Sequence, residues 1–321
     1  MVAIEKTLDK FNISSSELLP GGYSQNEGWL PTDNRETFDV ICPADELVVA
    51  CVAAASSEDY ENIVDAAVSA QKKWRMVPAP RRGELVNRIG QLMAENIEDL
   101  ALIVSLDTGK TISEAKSELH ESIAMATFAA GQSRMLYGVT QQSQRAQHRM
   151  YDQWLPLGVS GIISAYNFPA AVWAQNGFLS AIAGNTVIWK PSPKVPLTAI
   201  ALQKLVVQAM DEFEVEGVFQ LFIPNDNNVA QRLVEDSRVA LISFTGSTDV
   251  GHKVAEIVSR DLGRRYMLEC SGNSAIIVDE SADLKLAARS IAFSAVGTTG
   301  QRCTSARRII VQKQVADDLV Q

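Results

Sequence analysis

The spacing of apolar residues after position 55 predicts helices in the first part of the chain. Ser56 and Asp59 stand three residues apart, as in a capping box, and apolar residues follow at three- and four-residue intervals. Pro78 and Pro80 end this first helix, because proline cannot continue a helical hydrogen-bond ladder. Residues 1–40 are polar and turn-rich, and residues 38–55 are predicted to be strands around a turn. The predicted helical cores are Ile63, Val64, Ala67 and Val68, then Leu85, Ile89, Leu92 and Met93, then a helix over 113–135.

From Gly158 onward, short apolar runs alternate with helical patterns. This alternation predicts parallel βαβ units, whose buried strands carry apolar residues on both faces. The expected fold is therefore α/β, with a Rossmann-like doubly wound parallel sheet whose ligand crevice lies beyond the carboxyl ends of the strands. The predicted strands are 159–165, 186–190, 218–223, 239–244, 265–269 and 308–312, with helices over 170–183, 197–210 and 249–260.

Residues 139–157 interrupt both patterns. They are polar, show little helical periodicity, and end at Pro156-Leu157-Gly158. This segment is predicted to be a solvated β-arm or a linker between the two regions.

Composition narrows the class of protein. The 321 residues suit two domains, and 46% hydrophobic content suits a large core. The net charge of −9 disfavours a nucleic-acid-binding face, since phosphate recognition uses clustered Lys and Arg. Four cysteines without a CxxC pair and three histidines disfavour a metal site. The first residues lack a signal-peptide pattern, and no apolar run has membrane-spanning length, so a soluble cytoplasmic protein is predicted.

Polar residues follow four of the predicted strands, and a fifth polar, glycine-bearing turn follows the last apolar helix. Because the carboxyl ends of parallel strands meet at one edge, these turns are expected to form one site. One such turn would carry little weight, whereas five in succession favour a common site. The turns are Tyr166-Asn167-Phe168-Pro169, Lys190-Pro191-Ser192, Phe244-Thr245-Gly246-Ser247, Glu269-Cys270-Ser271-Gly272 and Gly300-Gln301-Arg302-Cys303.

Three of these residues have side chains suited to acyl chemistry. Cys303 is a candidate nucleophile, although a lone cysteine is more often a small buried hydrophobe. Glu269 is a candidate general base, with a salt-bridge carboxylate as its structural alternative. Asn167 is a candidate oxyanion donor, with an ordinary turn residue as its alternative. No histidine is placed as a partner for Cys303, which disfavours a Cys–His hydrolase.

The combination of motifs resembles the aldehyde dehydrogenase superfamily from about residue 20 to the end of the chain. A narrower resemblance, to the antiquitin branch, rests on Gln132-Ser133-Arg134, Ala171-Val172-Trp173, Ala275-Ile276-Ile277 and Ala295–Cys303. The motifs in the family's order and spacing are Asn167-Phe168-Pro169, Gly184-Asn185, Lys190-Pro191-Ser192, Phe244–Thr248, Glu269 with Gly272-Asn273, and Gly300–Cys303.

The resemblance implies oxidation of an aldehyde to a carboxylic acid with NAD, NADP not being excluded. The implied substrate is α-aminoadipic semialdehyde of lysine degradation. Cys303 would form a thiohemiacetal and then a thioester, with Asn167 holding the oxyanion and Glu269 activating water. The implied cofactor contacts are Lys190, Ser192, Gly246, Ser247, Tyr166 and Phe244. The implied substrate contacts are Arg302, Phe168 and a helix glutamate, Glu121 in preference to Glu118.

The resemblance also implies a domain division and an assembly. Residues 1–138 with 158–268 correspond to the NAD(P)-binding domain, 139–157 to an oligomerisation β-arm, and 269–321 to the start of the catalytic domain. The full-length form is expected to be a homo-oligomer, a tetramer, without nucleic-acid or membrane partners. Because family chains continue beyond this point, a C-terminally truncated chain is expected.

Two positions depart from the family's pattern and keep alternatives open. Ser271 stands where the family has glycine, and Pro193 stands where many NAD-preferring members have glutamate. The alternatives are a CoA-acylating aldehyde dehydrogenase, which retention of Glu269 disfavours, and an inactive relative that at most binds cofactor.

Overall fold

The structure is a computed structural model that describes residues 2–13 and 17–321. Two short 3₁₀ segments cover Gly297–Gly300 and Lys313–Val315. The strands are β1 (Leu18–Pro20), β2 (Gly22–Ser24), β3 (Gly28–Trp29), β4 (Thr37–Ile41), β5 (Val48–Ala53), β6 (Thr140–Gln142), β7 (Arg149–Tyr151), β8 (Val159–Ile163), β9 (Thr186–Lys190), β10 (Phe219–Phe222), β11 (Val239–Gly246), β12 (Arg265–Cys270), β13 (Ser274–Val278) and β14 (Ala306–Val311). The helices are α1 (Val2–Lys10), α2 (Ser57–Trp74), α3 (Ala79–Glu95), α4 (Ile97–Thr108), α5 (Ile112–Gln132), α6 (Ala171–Ile182), α7 (Pro196–Glu212), α8 (Asn227–Glu235), α9 (Thr248–Val258), α10 (Leu284–Val296) and α11 (Ala316–Val320).

The main sheet has seven strands in the order β12-β11-β8-β9-β10-β2-β3. The first five are parallel to one another, and β2 and β3 add an antiparallel edge. The predicted doubly wound α/β sheet is thereby confirmed. Helices cover both faces, so every residue of β8 and β10 is buried, as expected for strands between two layers.

Successive side chains of β9 enter different cores, because a strand points alternate residues to opposite faces. Val187 and Trp189 pack in a core with α3, α5, α6 and α7, where Trp173 stacks on Trp189 at 4.6 Å between ring centroids. Ile188 packs in the other core, with Tyr60 of α2 and Phe222 of β10. The sheet is thus packed on both faces.

The helices of the first region follow the predicted pattern with two differences. Ser56 caps α2 in a complete capping box with Asp59, and Pro78 stands at the N-cap of α3. The turn-rich interpretation of residues 1–40 was wrong, since α1 and three short strands lie there; residues 14–16 fall outside the described part. The pattern also missed α4, because its residues are apolar around most of its circumference and show little helical periodicity.

The remaining segments surround the main sheet. β6 and β7 form an antiparallel hairpin whose six residues are all exposed, as predicted for the β-arm. β13 and β14 pair in parallel and pack with α10, which begins a second α/β unit. β12 stays in the main sheet through Cys270, so Glu269 lies on the first unit and Cys303 on the second. Within the described residues, no helix combines the length and apolarity needed to cross a membrane.

Candidate active site

A cleft of about 650 Å³ lies at the carboxyl edge of the sheet, between the two α/β units. Four of the five predicted turns contribute to its wall. The lining residues are Ala165, Tyr166, Asn167, Phe168, Val172, Gln175, Asn176, Thr245, Gly246, Ser247, Met267, Glu269, Cys270, Ser271, Gly272, Gln301, Arg302, Cys303 and Arg307.

Asn167 links the two units. It follows β8 in a turn that leads into α6, and its Nδ2 donates a hydrogen bond of 2.8 Å to the backbone oxygen of Gln301. The amide therefore lies beside the loop that carries Cys303. Since an amide NH₂ has two N–H groups, one remains to donate to another acceptor.

The Cys303 loop has an uncommon backbone. Thr298, Thr299 and Gly300 all have positive φ, at 56°, 52° and 68°. A left-handed conformation costs roughly 1–2 kcal/mol for a residue with a side chain, so other contacts must hold the two threonines in place. Arg302 Nε donates to Thr298 Oγ1 at 2.8 Å, and Gln301 Nε2 donates to the backbone oxygen of Thr108 at 3.0 Å. The loop ends with the Cys303 side chain exposed at the cleft.

Arg302 lies between two aromatic rings. Its guanidinium carbon is 5.9 Å from the ring centroids of both Phe168 and Phe293. Lys110 contacts the Phe168 ring as well, with its Nζ 4.1 Å from the centroid. Of these two cations only Arg302 lines the cleft, because Lys110 is buried and paired with Glu118; the Arg302 guanidinium is suited to an anionic group on a ligand.

Glu269 lies near the end of β12, opposite Thr245 of the neighbouring strand β11. Its side chain is exposed and lines the cleft. The following turn approaches the thiol loop closely, because a Cβ added to Gly272 would lie 3.0 Å from the backbone oxygen of Cys303. Ser271 makes hydrogen bonds to the end of β11 and the start of α9. Its N–H donates to the backbone oxygen of Gly246, and its hydroxyl lies 3.2 Å from that of Thr248.

The N-terminus of α9 opens onto the same cleft. Ser247 is its N-cap and accepts a hydrogen bond from the N–H of Val250. Gly246 must lack a side chain, since a Cβ there would lie 2.6 Å from the Phe244 ring. A side-chain-free turn at a helix N-terminus is suited to the close approach of a phosphate.

Lys190 and Ser192 do not line this cleft; Lys190 is the last residue of β9, the strand next to β8, and Ser192 lies just after it. Burial lowers the pKa of Lys190 to about 8, and its Nζ donates to the backbone oxygen of Pro191 at 3.0 Å. The structure shows no carboxylate paired with this ammonium among the described residues. Lys190 therefore has donor capacity left for a ligand hydroxyl.

Helix α5 contributes carboxylates that differ sharply in environment. Glu121 is exposed and lies outside the cleft lining. Glu118 is fully buried, pairs with Lys110, and accepts the backbone N–H groups of Ala170 and Ala171. Glu114 accepts the N–H of Thr298 at 2.6 Å, and this bond lowers the pKa of Glu114.

Sequence reasoning missed Lys110, Glu114 and Arg307 as site residues. The four-residue spacing of Glu114 and Glu118 places them on one face of a helix, which is the only signal the sequence offers. No group of three metal-ligating side chains occurs within residues 2–13 and 17–321.

The fold and this cleft define a doubly wound α/β protein with a cysteine at the carboxyl edge of its sheet. The aldehyde dehydrogenase family model matches residues 29–321, and the chain therefore belongs to the aldehyde dehydrogenase family.

Three relatives illustrate the similarity. Aldehyde dehydrogenase family 7 member A1 of Brassica napus is 40% identical over 316 residues, which cover 98% of this chain and 63% of that protein. Alpha-aminoadipic semialdehyde dehydrogenase of Bos taurus is 40% identical over 285 residues, covering 89% of this chain and 53% of that protein. The crystal structure of an NAD-dependent aldehyde dehydrogenase from Sinorhizobium meliloti has a TM-score of 0.87 at 32% identity, covering 95% of this chain and 60% of that one. The chain thus spans between about half and two thirds of the length of these relatives.

Proposed function

We propose that the protein oxidises an aldehyde to a carboxylic acid with NAD⁺ or NADP⁺, using Cys303 as the nucleophile. The single observation that carries this proposal is the cleft that Cys303, Asn167 and Glu269 line together. A thiol, an amide donor and a carboxylate are the groups that covalent acyl chemistry requires.

The first step is attack of the Cys303 sulfur on the aldehyde carbon, with transfer of the thiol proton to solvent. The carbonyl oxygen becomes an oxyanion, which the Asn167 amide and the Cys303 backbone N–H stabilise. Asn167 is held in reach by its bond to Gln301. A nicotinamide bound in this cleft would supply the hydride acceptor, and loss of the hydride and of the oxygen-bound proton would leave a thioester on Cys303.

Glu269 completes the reaction as a general base. Its exposed carboxylate on the cleft removes a proton from water, which attacks the thioester and releases the acid and the Cys303 thiol. A base directed at water favours hydrolysis over transfer of the acyl group to CoA.

The residues present fit a dinucleotide. The side-chain-free turn at Gly246 and the N-terminus of α9 at Ser247 suit a pyrophosphate. Lys190 and Ser192 offer donors for the adenosine ribose. Tyr166 lines the cleft, and the buried ring of Phe244 packs against the Gly246 turn. We infer NAD as the cofactor, with NADP as the alternative that the test below distinguishes.

The proposed substrate is α-aminoadipic semialdehyde, the compound in the bovine relative's name. Arg302, held between Phe168 and Phe293, offers a fixed cation for a carboxylate at the far end of the aldehyde. A guanidinium binds a carboxylate through two parallel hydrogen bonds, which would select an acidic aldehyde over a neutral one.

The test is a steady-state assay of the purified protein with α-aminoadipic semialdehyde, in which reduced nicotinamide and the acid product are measured together. Equal amounts of both with NAD⁺, and a higher kcat/KM than for a neutral aldehyde of the same length, are the expected results. The same assay with NADP⁺, and with CoA added, is the comparison. Formation of acyl-CoA, or no reduction of either cofactor, would contradict the proposal.

A further inference from the structure

Two carboxylates of α5 hold the two loops that form the proposed oxyanion site. Glu114 and Glu118 are four residues apart, so they lie on the same face of the helix, one turn from each other. Their partners are far away in sequence: 184 residues separate Glu114 from Thr298, and 52 separate Glu118 from Ala170. Stabilising α5 itself would not require partners so far away in the sequence.

Glu118 fixes the loop of Asn167. One of its oxygens accepts the N–H groups of Ala170 at 2.8 Å and Ala171 at 3.1 Å, where α6 begins directly after the Asn167 turn. The other oxygen pairs with Lys110, which packs over the ring of Phe168. The side chains of Glu118 and Lys110 are 0% and 1% exposed, so this anchor is not weakened by water.

Glu114 fixes the loop of Cys303. Its 2.6 Å bond to the N–H of Thr298 holds the first residue of the left-handed turn. The hydroxyl of Thr298 then accepts from Arg302, the residue before Cys303. A hydrogen bond from Asn167 to the backbone oxygen of Gln301 then connects the Cys303 loop to the loop of Asn167.

We propose that Glu114 and Glu118 are positioning residues that together set the distance between the Asn167 amide and the Cys303 sulfur. The inference rests on the proposed roles of Asn167 and Cys303. α5 sets the spacing of the two loops: Glu114 binds the Cys303 loop, and Glu118, one helical turn later, binds the loop of Asn167. Neither carboxylate lines the cleft.

The test compares two reactions of the Cys303 thiol. Acylation by p-nitrophenyl acetate passes through a tetrahedral oxyanion; the sulfur–carbon bond forms, the bond to p-nitrophenolate breaks, and the thiol proton goes to solvent. Alkylation by iodoacetamide displaces iodide directly and forms no oxyanion. The ratio of the two rate constants at Cys303, measured by peptide mass spectrometry, reports the alignment of thiol and donor rather than general folding.

Glu114→Ala is expected to lower the acylation rate by about tenfold or more, because misplaced catalytic groups lose this much, and to leave alkylation unchanged. Glu114→Gln keeps an oxygen acceptor for the Thr298 N–H and is expected to restore most of the acylation rate. The double variant Lys110→Met/Glu118→Leu removes the buried pair, and with it the acceptor of the Ala170 and Ala171 N–H groups, without leaving an unpaired charge, and it is expected to reproduce the loss. Glu98→Gln is the matched control, because Glu98 also reaches α5, at Lys116, but on the surface.

Acylation and alkylation falling together, or neither falling, would overturn the inference. If the double variant fails to fold, the comparison of Glu114→Ala with Glu114→Gln still shows whether Glu114 positions the Cys303 loop. Neither reagent needs cofactor or aldehyde, so the outcome is separable from the proposed function. A protein that does not oxidise aldehydes but shows the tenfold change in ratio supports the positioning role, whereas an active dehydrogenase with an unchanged ratio excludes it.

Discussion

The chemistry of the cleft depends on three residues from distant parts of the chain. Asn167 follows β8, Glu269 is in β12, and Cys303 follows α10, yet all three line one space. Each residue alone has a plain structural role, as turn residue, surface carboxylate or small thiol. Their convergence gives a nucleophile, an oxyanion donor and a base at one place, which structural roles alone do not require.

The role of Glu269 can be tested by separating acylation from hydrolysis. Glu269→Gln keeps the size of the side chain but cannot accept a proton from water. We expect one turnover of nicotinamide reduction at nearly the normal rate, followed by steady-state turnover lowered by about 10²-fold or more. Rapid-mixing kinetics measures both phases.

Glu256→Gln is the control, since Glu256 pairs with Arg260 on the exposed face of α9. A Glu269→Gln variant that keeps its full steady-state rate would show that another group activates the water.

At the scale of single elements, the junction of α4 and α7 contains the most unusual carboxylate. Asp107, at the end of α4, is fully buried and accepts bonds of 2.7 Å from the N–H and hydroxyl of Thr198 in the first turn of α7. Its other oxygen has no partner among the described residues. Burial raises the pKa of Asp107 to about 7, against the hydrogen bonds from Thr198.

This pKa predicts a pH-dependent stability. A carboxyl whose pKa in the folded protein exceeds its value of about 4 in the unfolded chain binds its proton more tightly in the folded state. The stability that this proton contributes is therefore fully present below about pH 4 and is lost as the pH rises to about 7. We expect the melting temperature to fall between pH 5 and pH 8 by several degrees more in the wild type than in Asp107→Asn.

Differential scanning calorimetry at both pH values gives the comparison, with Asp39→Asn of exposed β4 as the control. An equal fall in the wild type and in Asp107→Asn would show that Asp107 is charged throughout this range.

The sequence was informative about elements whose pattern is local. The apolar runs of β8, β9 and β11 and the turns after them were predicted, because a parallel strand between two helix layers must be apolar and its end must be polar. The environment of Glu114 and Glu118 was not predicted. Two glutamates one turn apart normally indicate a solvated helix face. Here Glu118 is buried and Glu114 is partly buried, and their contacts are with residues 52 and 184 positions away.

At the scale of the whole molecule, the main sheet packs against the β13–β14 unit, whereas the β6–β7 hairpin is exposed. The main sheet and the β13–β14 unit enclose the cleft, so the distance between thiol and amide depends on how the units pack. The β6–β7 hairpin projects from this body, and Tyr151, Trp154 and Leu155 are 64%, 74% and 65% exposed. Such apolar exposure on a polar arm is typical of a surface that another copy covers.

We therefore propose that this arm mediates homo-oligomerisation, and a variant can test it. Trp154→Ser/Leu155→Ser is expected to lower the mass measured by sedimentation equilibrium to that of a smaller species while the circular dichroism is unchanged. Leu262→Ser, at a residue 97% exposed outside the arm, is the control and is expected to keep the parent mass. An identical mass for all three proteins would exclude the arm as the assembly surface.

The proposed covalent role of Cys303 is tested by nicotinamide reduction by the wild type and Cys303→Ser with α-aminoadipic semialdehyde. A serine hydroxyl at this position lacks a base to activate it and is far less nucleophilic than a thiolate. We expect a loss of at least about 10³-fold in kcat/KM in Cys303→Ser, with the melting temperature and cofactor binding retained. Activity of Cys303→Ser equal to that of the wild type would show that Cys303 is not the nucleophile.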